Sequence, residues 1–114
     1  MAERGEIWLA DLDPRQGTEP GKKRPVLVVQ AQALLNAGHP STLVVPLTTR
    51  LIDGAEPLRI RVGASTGLTQ DSDLLVDQLR AIDNCRLVAH LGRVGPELLA
   101  SVGRGIAEIL DLPR

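Results

Sequence analysis

Eight residues in three short stretches carry the chemistry that stands out in this chain: Glu19, Lys22, Lys23 and Arg24, then Thr48, Thr49 and Arg50, and finally Asp77. They supply carboxylates, cations and hydroxyls. That set suits phosphate chemistry, in which cations stabilise an oxyanion, hydroxyls hold a non-bridging oxygen and a carboxylate takes a proton. The same residues also read as a solvated loop (Glu19, Lys22, Lys23), ordinary strand positions (Thr48, Thr49) and an Asp77 partnered with Arg80. Spacing by itself does not choose between these two readings. Patterns for other chemistries are missing from the sequence: there is no Walker-type glycine loop, no Gly-x-Ser-x-Gly elbow and no His-Glu-x-x-His helix.

The elements that must position these residues follow from hydrophobic patterning. Residues 6–12 read as a strand, and residues 13–23 as a polar Gly/Pro-bearing connection, long enough to be a working loop. The run 25–29 reads as a second strand. Pro25 cannot donate to a ladder and belongs at the strand's first residue, which sets Arg24 at the junction of loop and sheet. Residues 31–37 suit a short helix stopped by Gly38, and residues 42–49 a strand whose end carries two hydroxyls. Leu58, Ile60 and Val62 alternate with Arg59 and Arg61, which predicts a strand with an apolar core face and a basic outer face. Residues 73–82 read as one further strand, on which the adjacent Asp77 and Gln78 leave opposite faces. Pro96 opens a final helix with Leu98, Leu99, Val102, Ile106, Ile109 and Leu110 on one stripe, and Gly103 and Gly105 each weaken it by about 1 kcal/mol relative to Ala. Five to six short strands with short helices and a terminal amphipathic helix predict a mainly β fold, a small, strongly bent sheet or barrel.

With 114 residues, 43% of them hydrophobic and 24% charged, the chain suits one globular domain spanning 1–114. Phe and Tyr are absent and Trp8 is the only aromatic residue, which excludes the stacking platform of many single-strand readers. The formal charge of −1 conceals a gradient: residues 1–13 sum to −3, residues 14–62 to +4 and residues 63–114 to −2. No apolar run approaches bilayer length and Met1 to Gly5 is no signal peptide, so a soluble, cytoplasmic chain is expected. Cys85 reads as a small core residue, His39 as a loop residue and His90 as a satisfied core histidine. One Cys and two separated His residues make no closed zinc set, and neither metal nor cofactor is expected.

The stretches Arg4-Gly5-Glu6-Ile7-Trp8-Leu9, Leu12-Asp13-Pro14, Gly17-Thr18-Glu19 and Lys23-Arg24-Pro25-Val26-Leu27-Val28-Val29 together resemble the N-terminal signature of the MazF/PemK (Kid) toxin family. Val45-Pro46-Leu47-Thr48-Thr49 and Asp77-Gln78-Leu79-Arg80-Ala81-Ile82-Asp83 are similar to later segments of that family, in the same order, so the resemblance covers nearly the whole chain. It implies a small SH3-like barrel, a homodimer, and the toxin of a type II toxin–antitoxin pair, held inactive by a small MazE/PemI-like antitoxin. It further implies a ribosome- and metal-independent endoribonuclease that cuts single-stranded RNA at short motifs and stops translation and growth. By motif position Arg24 acts on the scissile phosphate with Thr48 beside it, and Glu19 or Asp77 is the general base. RNA contacts are expected from Arg15, Gln16, Thr18, Lys22, Lys23, Thr49, Arg50, Gln78 and Arg80. The PemK branch has a histidine at the position of Thr18 and an arginine at that of Leu75, so its second mechanism is incomplete in this chain. The reaction expected is attack of the 2′-OH on the adjacent phosphorus, leaving a 2′,3′-cyclic phosphate and a 5′-OH. Arg24 then stabilises charge, since a guanidinium holds its proton too firmly to be a ready acid. A CcdB-like gyrase poison of the same architecture is the alternative, although the C-terminal tryptophan such proteins use is absent.

Overall fold

The computed structural model describes residues 1–12 and 22–113. It contains strands β1 (Glu6–Asp11), β2 (Lys23–Val28), β3 (Ser41–Thr48), β4 (Arg59–Val62), β5 (Ser72–Leu75), β6 (Arg80–Asp83) and β7 (Leu87–Arg93), with helices α1 (Gln32–Asn36) and α2 (Pro96–Ile109). The seven strands form one antiparallel sheet in the order β4-β5-β3-β2-β1-β7, and β6 adds to β3. Valine-rich β2 and β3 lie in the middle and bury both faces. Successive side chains leave opposite faces of a strand, so Leu27, Val45 and Leu47 join one apolar cluster while Val26, Val28 and Val44 join another. The first cluster is covered by α2, whose Leu98, Leu99, Val102, Ile106 and Ile109 form the expected stripe, while Leu110 caps the helix and is exposed. The second takes in Ala10, Leu35 and Ile82, with Trp8 and Leu87 at its margin.

Several expectations are corrected. Among the described residues there are seven strands rather than five to six, in part because β7 pairs along β1 with two register shifts that blur its alternation in sequence. The single strand expected over 73–82 is broken. Leu74 pairs with Leu47, and continuing that register would set Asp77 opposite Val44, yet Arg80 stands there. The three extra residues are taken up by the 3-10 turn Val76–Gln78, so Asp77 and Gln78 are both exposed instead of lying on opposite faces of a strand. Leu58 precedes β4 and is exposed, not a core residue. Cys85 is exposed in the 3-10 turn Asn84–Arg86. His90 is not a core histidine: its side chain is half-exposed, its Nε2 is 3.1 Å from Glu6 Oε2, and its ring meets Trp8 edge-on at 5.7 Å.

The hydrogen-bonded ladder stays open between β4 and β7, but the two ends of the sheet are held close. Backbone from the turn after β4 touches β7: a Cβ on Gly67 would fall 2.3 Å from the Leu91 carbonyl oxygen, and one on Gly92 would fall 2.0 Å from that of Thr66. Only glycine permits this approach, and Gly67 also takes a left-handed φ of 98°. The bent sheet is therefore drawn together by backbone packing rather than by a closing ladder. No helix among the described residues is long and apolar enough to cross a membrane.

Candidate active site at the ends of β2, β3 and β5

Cross-strand register builds the site. Val26 pairs with Pro46, and two further steps along β2 and β3 bring Arg24 opposite Thr48. Thr48 pairs in turn with Asp73 on β5, and Asp73 with Arg61 on β4. Directly opposed residues share a face, so Arg24, Thr48, Asp73 and Arg61 form one polar row. At strand spacings of about 4.8 Å, the row is roughly 14 Å long.

At the Arg24 end, Arg24, Pro25, Leu47, Thr48, Thr49 and Ser72 enclose a cavity of about 150 Å³. The Thr48 hydroxyl accepts the Arg50 backbone N–H at 3.2 Å. Its own O–H remains available as a donor at the cavity wall. Among the described residues Arg24 takes part in no ion pair, and neither do the neighbouring Lys22, Lys23 and Arg50. A guanidinium that shares a cavity with a hydroxyl and has no ion pair among the described residues suits an anion with oxygen ligands.

The other end of the row is neutralised. Asp73 is only 1% exposed, and both of its oxygens are engaged: Oδ1 accepts Arg61 Nε at 2.6 Å, while Oδ2 accepts the Ile52 N–H at 2.9 Å and Arg59 Nη1 at 3.2 Å. Arg61 Nη2 also binds Asp53 at 2.7 Å, and Arg59 Nη1 binds the Arg50 carbonyl at 2.8 Å. Burial alone would push the Asp73 carboxyl up, but the hydrogen bonds from Arg61, Ile52 and Arg59 outweigh it and hold the group below its ordinary range. The hydrogen bonds to Asp73 and then Asp53 raise Arg61 in return. Sequence reasoning missed Asp73 and Ser72. The available signal was the pair Arg59 and Arg61 on one face of a short strand, which calls for a buried counter-charge.

Of the other candidate residues, Thr49 lines the cavity and Arg50 follows it on the surface. Asp77 and Gln78 stand on their exposed turn and Arg80 at the exposed start of β6. None of the three is among the cavity walls, and no ion pair joins Asp77 to Arg80. Arg15, Gln16, Thr18 and Glu19 lie outside the described residues. The chain is fastened on either side of them: the Leu12 N–H donates to the Lys22 carbonyl at 3.0 Å, and Arg86 Nη1, another residue not anticipated, caps the Asp11 and Leu12 carbonyls at 3.2 Å each.

Residues 3–110 match the family model described as the PemK-like, MazF-like toxin of type II toxin–antitoxin systems. The chain belongs to the PemK/MazF-like toxin family. Among curated members, endoribonuclease MazF9 of Mycobacterium tuberculosis is 36% identical over 117 residues, covering 98% of each chain. Among solved structures, the M. tuberculosis toxin MazF-mt6 superposes with a TM-score of 0.79 at 26% identity, covering 96% of this chain and 99% of that one. A mycobacterial endoribonuclease in complex with its cognate antitoxin superposes with a TM-score of 0.75 at 26% identity, covering 99% of this chain and 96% of that one. For this PemK/MazF-like toxin, the two positions singled out by motif, Arg24 and Thr48, line one cavity.

Proposed function

We propose that this PemK/MazF-like toxin is an endoribonuclease, a sequence-specific enzyme that cuts single-stranded RNA without ribosome or metal and so arrests translation and growth. The observation that carries this reading is that Arg24, without an ion pair among the described residues, shares one cavity with Thr48. An RNA phosphate placed there meets the Arg24 charge and the Thr48 O–H on its non-bridging oxygens. The neighbouring 2′-OH attacks phosphorus, the P–O5′ bond breaks, the 5′-oxygen takes a proton from water, and the products are a 2′,3′-cyclic phosphate and a 5′-OH. Arg24 stabilises the charge that builds on the phosphorane oxygens. A carboxylate, Glu19 or Asp77, takes the 2′-OH proton; Asp77 stands outside the cavity walls and Glu19 outside the described residues.

The whole chain, 1–114, acts as one toxin domain in the cytoplasm, as a homodimer, and is silenced by a small antitoxin, as the mycobacterial complex suggests by analogy. Family membership weighs against the CcdB-like gyrase poison. The test is to incubate the purified protein with a long mixed-sequence RNA in EDTA and to map the ends by primer extension. Discrete cuts bearing cyclic-phosphate ends are expected. Intact RNA would overturn the nuclease, and intact RNA with inhibited gyrase supercoiling would install the poison instead.

A further inference from the structure

Asp73 is a fully buried carboxylate on β5, between the buried Ser72 and Leu74. An apolar residue there would complete the sheet without the desolvation that a buried charge entails. What the charge reaches explains its presence. Directly or through one guanidinium it ties down three backbone or side-chain groups of the segment that follows β3: the Arg50 carbonyl through Arg59, the Ile52 N–H, and the Asp53 carboxylate through Arg61. That segment starts at the cavity wall, with Thr49 lining it and the Arg50 N–H bound to the Thr48 hydroxyl. Asp73 is itself the ladder partner of Thr48. One buried charge thus fastens, from the neighbouring strand, the piece of chain that leads away from the proposed cleavage site.

We infer that Asp73 is a positioning residue of the RNA-cleavage site, holding residues 49–53 in a single conformation so that Thr49 and Arg50 meet the nucleotide beside the scissile phosphate. This rests on the nuclease reading above and adds two consequences. Arg59 and Arg61 are occupied within the protein and serve as braces rather than as RNA contacts. Asp73, never touching RNA, governs turnover and motif choice more than phosphate affinity.

The test uses Asp73→Asn, which keeps size and one acceptor but removes the charge. Three measurements on the intact protein decide: kcat and KM for a preferred RNA, the ratio of kcat/KM between that RNA and a single-base variant, and hydrogen exchange of the Ile52 amide. The expected result is faster Ile52 exchange, a kcat lower by about tenfold with KM changed far less, and a narrowed ratio between the two RNAs. A folded Asp73→Asn protein with unchanged kcat and unchanged discrimination overturns the inference, as does one in which Ile52 stays protected. Should Asp73→Asn fail to fold, Arg59→Gln decides instead, since it releases the Arg50 carbonyl while leaving Asp73 bound to Arg61 and Ile52. It must move kcat and discrimination in the same direction, and an unchanged pair overturns the inference. Wild-type protein that leaves RNA intact defeats the nuclease reading and this role with it, whereas cutting that ignores Asp73 defeats the positioning role alone.

Discussion

Arg24 and Asp73 lie in one cross-strand row and face opposite electrostatic circumstances. Arg24 has no counter-charge among the described residues, so its guanidinium is available to a ligand, and its removal subtracts little from the fold. Arg24→Ala is expected to lower kcat/KM for RNA by on the order of 10²–10³, the usual loss when one charge-stabilising donor is deleted, with a melting temperature close to that of the wild type. Thr48→Val, which keeps the shape and removes the donor, should lower kcat in the same direction. Cleavage assays paired with thermal melts check both. Asp73 is the reverse case: it is buried, and its carboxyl is held below the ordinary range by Arg61, Ile52 and Arg59 against the opposing effect of burial. A depressed folded-state pKa contributes stability that is fully present above the unfolded value of about 3.9 and is lost as pH falls through the folded one. Glu6 is displaced the same way, lowered by hydrogen bonds from Trp8 and the Glu3 N–H and by the charges of His90 and Arg93, which together exceed the effect of burial. Melting temperature should therefore be flat from neutral pH down to about 5 and drop below about 4, and Asp73→Asn should soften that drop while lowering stability at pH 7.

At the scale of elements, the glycines make opposite demands. A Cβ on Gly92 meets the Thr66 carbonyl at 2.0 Å, with backbone on both sides and no flexible side chain to yield, whereas a Cβ on Gly103 of α2 meets nothing within 4 Å. Gly92→Ala should cost about 2 kcal/mol or more and lower the melting temperature by about 10 °C, and Gly103→Ala should add about 1 kcal/mol through helix propensity. Thermal or urea unfolding of the two variants gives the signs directly. The same contrast explains what could be read from the chain beforehand. The strands around Val26–Val28 and Val44–Val45, the alternation of Ile60 and Val62 and the stripe of α2 depend on local pattern, and they were legible. The break at Val76–Gln78 was not, because it arises where β3 exchanges one partner for another, and a three-residue slip in pairing leaves no mark on a hydrophobic run. Cys85 and Leu58 were misplaced for a related reason: a small or apolar residue one or two steps outside a strand has the pattern of the strand but not its burial. In the site, motif resemblance found Arg24 and Thr48, while Asp73 was read only as the first residue of a strand, because its partners lie 12 and 14 positions earlier in the chain.

For the whole molecule, the sequence placed a net +4 in residues 14–62, and the structure redistributes it. Arg59 and Arg61 are matched by Asp73 and Asp53, so the uncompensated positive charge among the described residues of that stretch contracts to Lys22, Lys23, Arg24 and Arg50. Arg24 lines the cavity, and the other three lie within two residues of a lining residue in the chain, at the start of β2 and just after β3. With a single aromatic residue, stacking contributes little, so affinity for RNA depends mainly on displacing counterions from phosphates. Each neutralised phosphate of a single strand adds about 0.7 to the slope of log K against log salt, so four such cations give a slope of about −3. Titrating a non-cleavable single-stranded RNA, with deoxyribose at the cut position, at a series of salt concentrations measures it. Lys23→Gln should reduce the slope by about 0.7, and Arg61→Gln should leave it unchanged because that charge is already spoken for by Asp73 and Asp53. A salt-independent affinity, or an Arg61→Gln slope reduced as much as that of Lys23→Gln, would contradict this division of the positive charge.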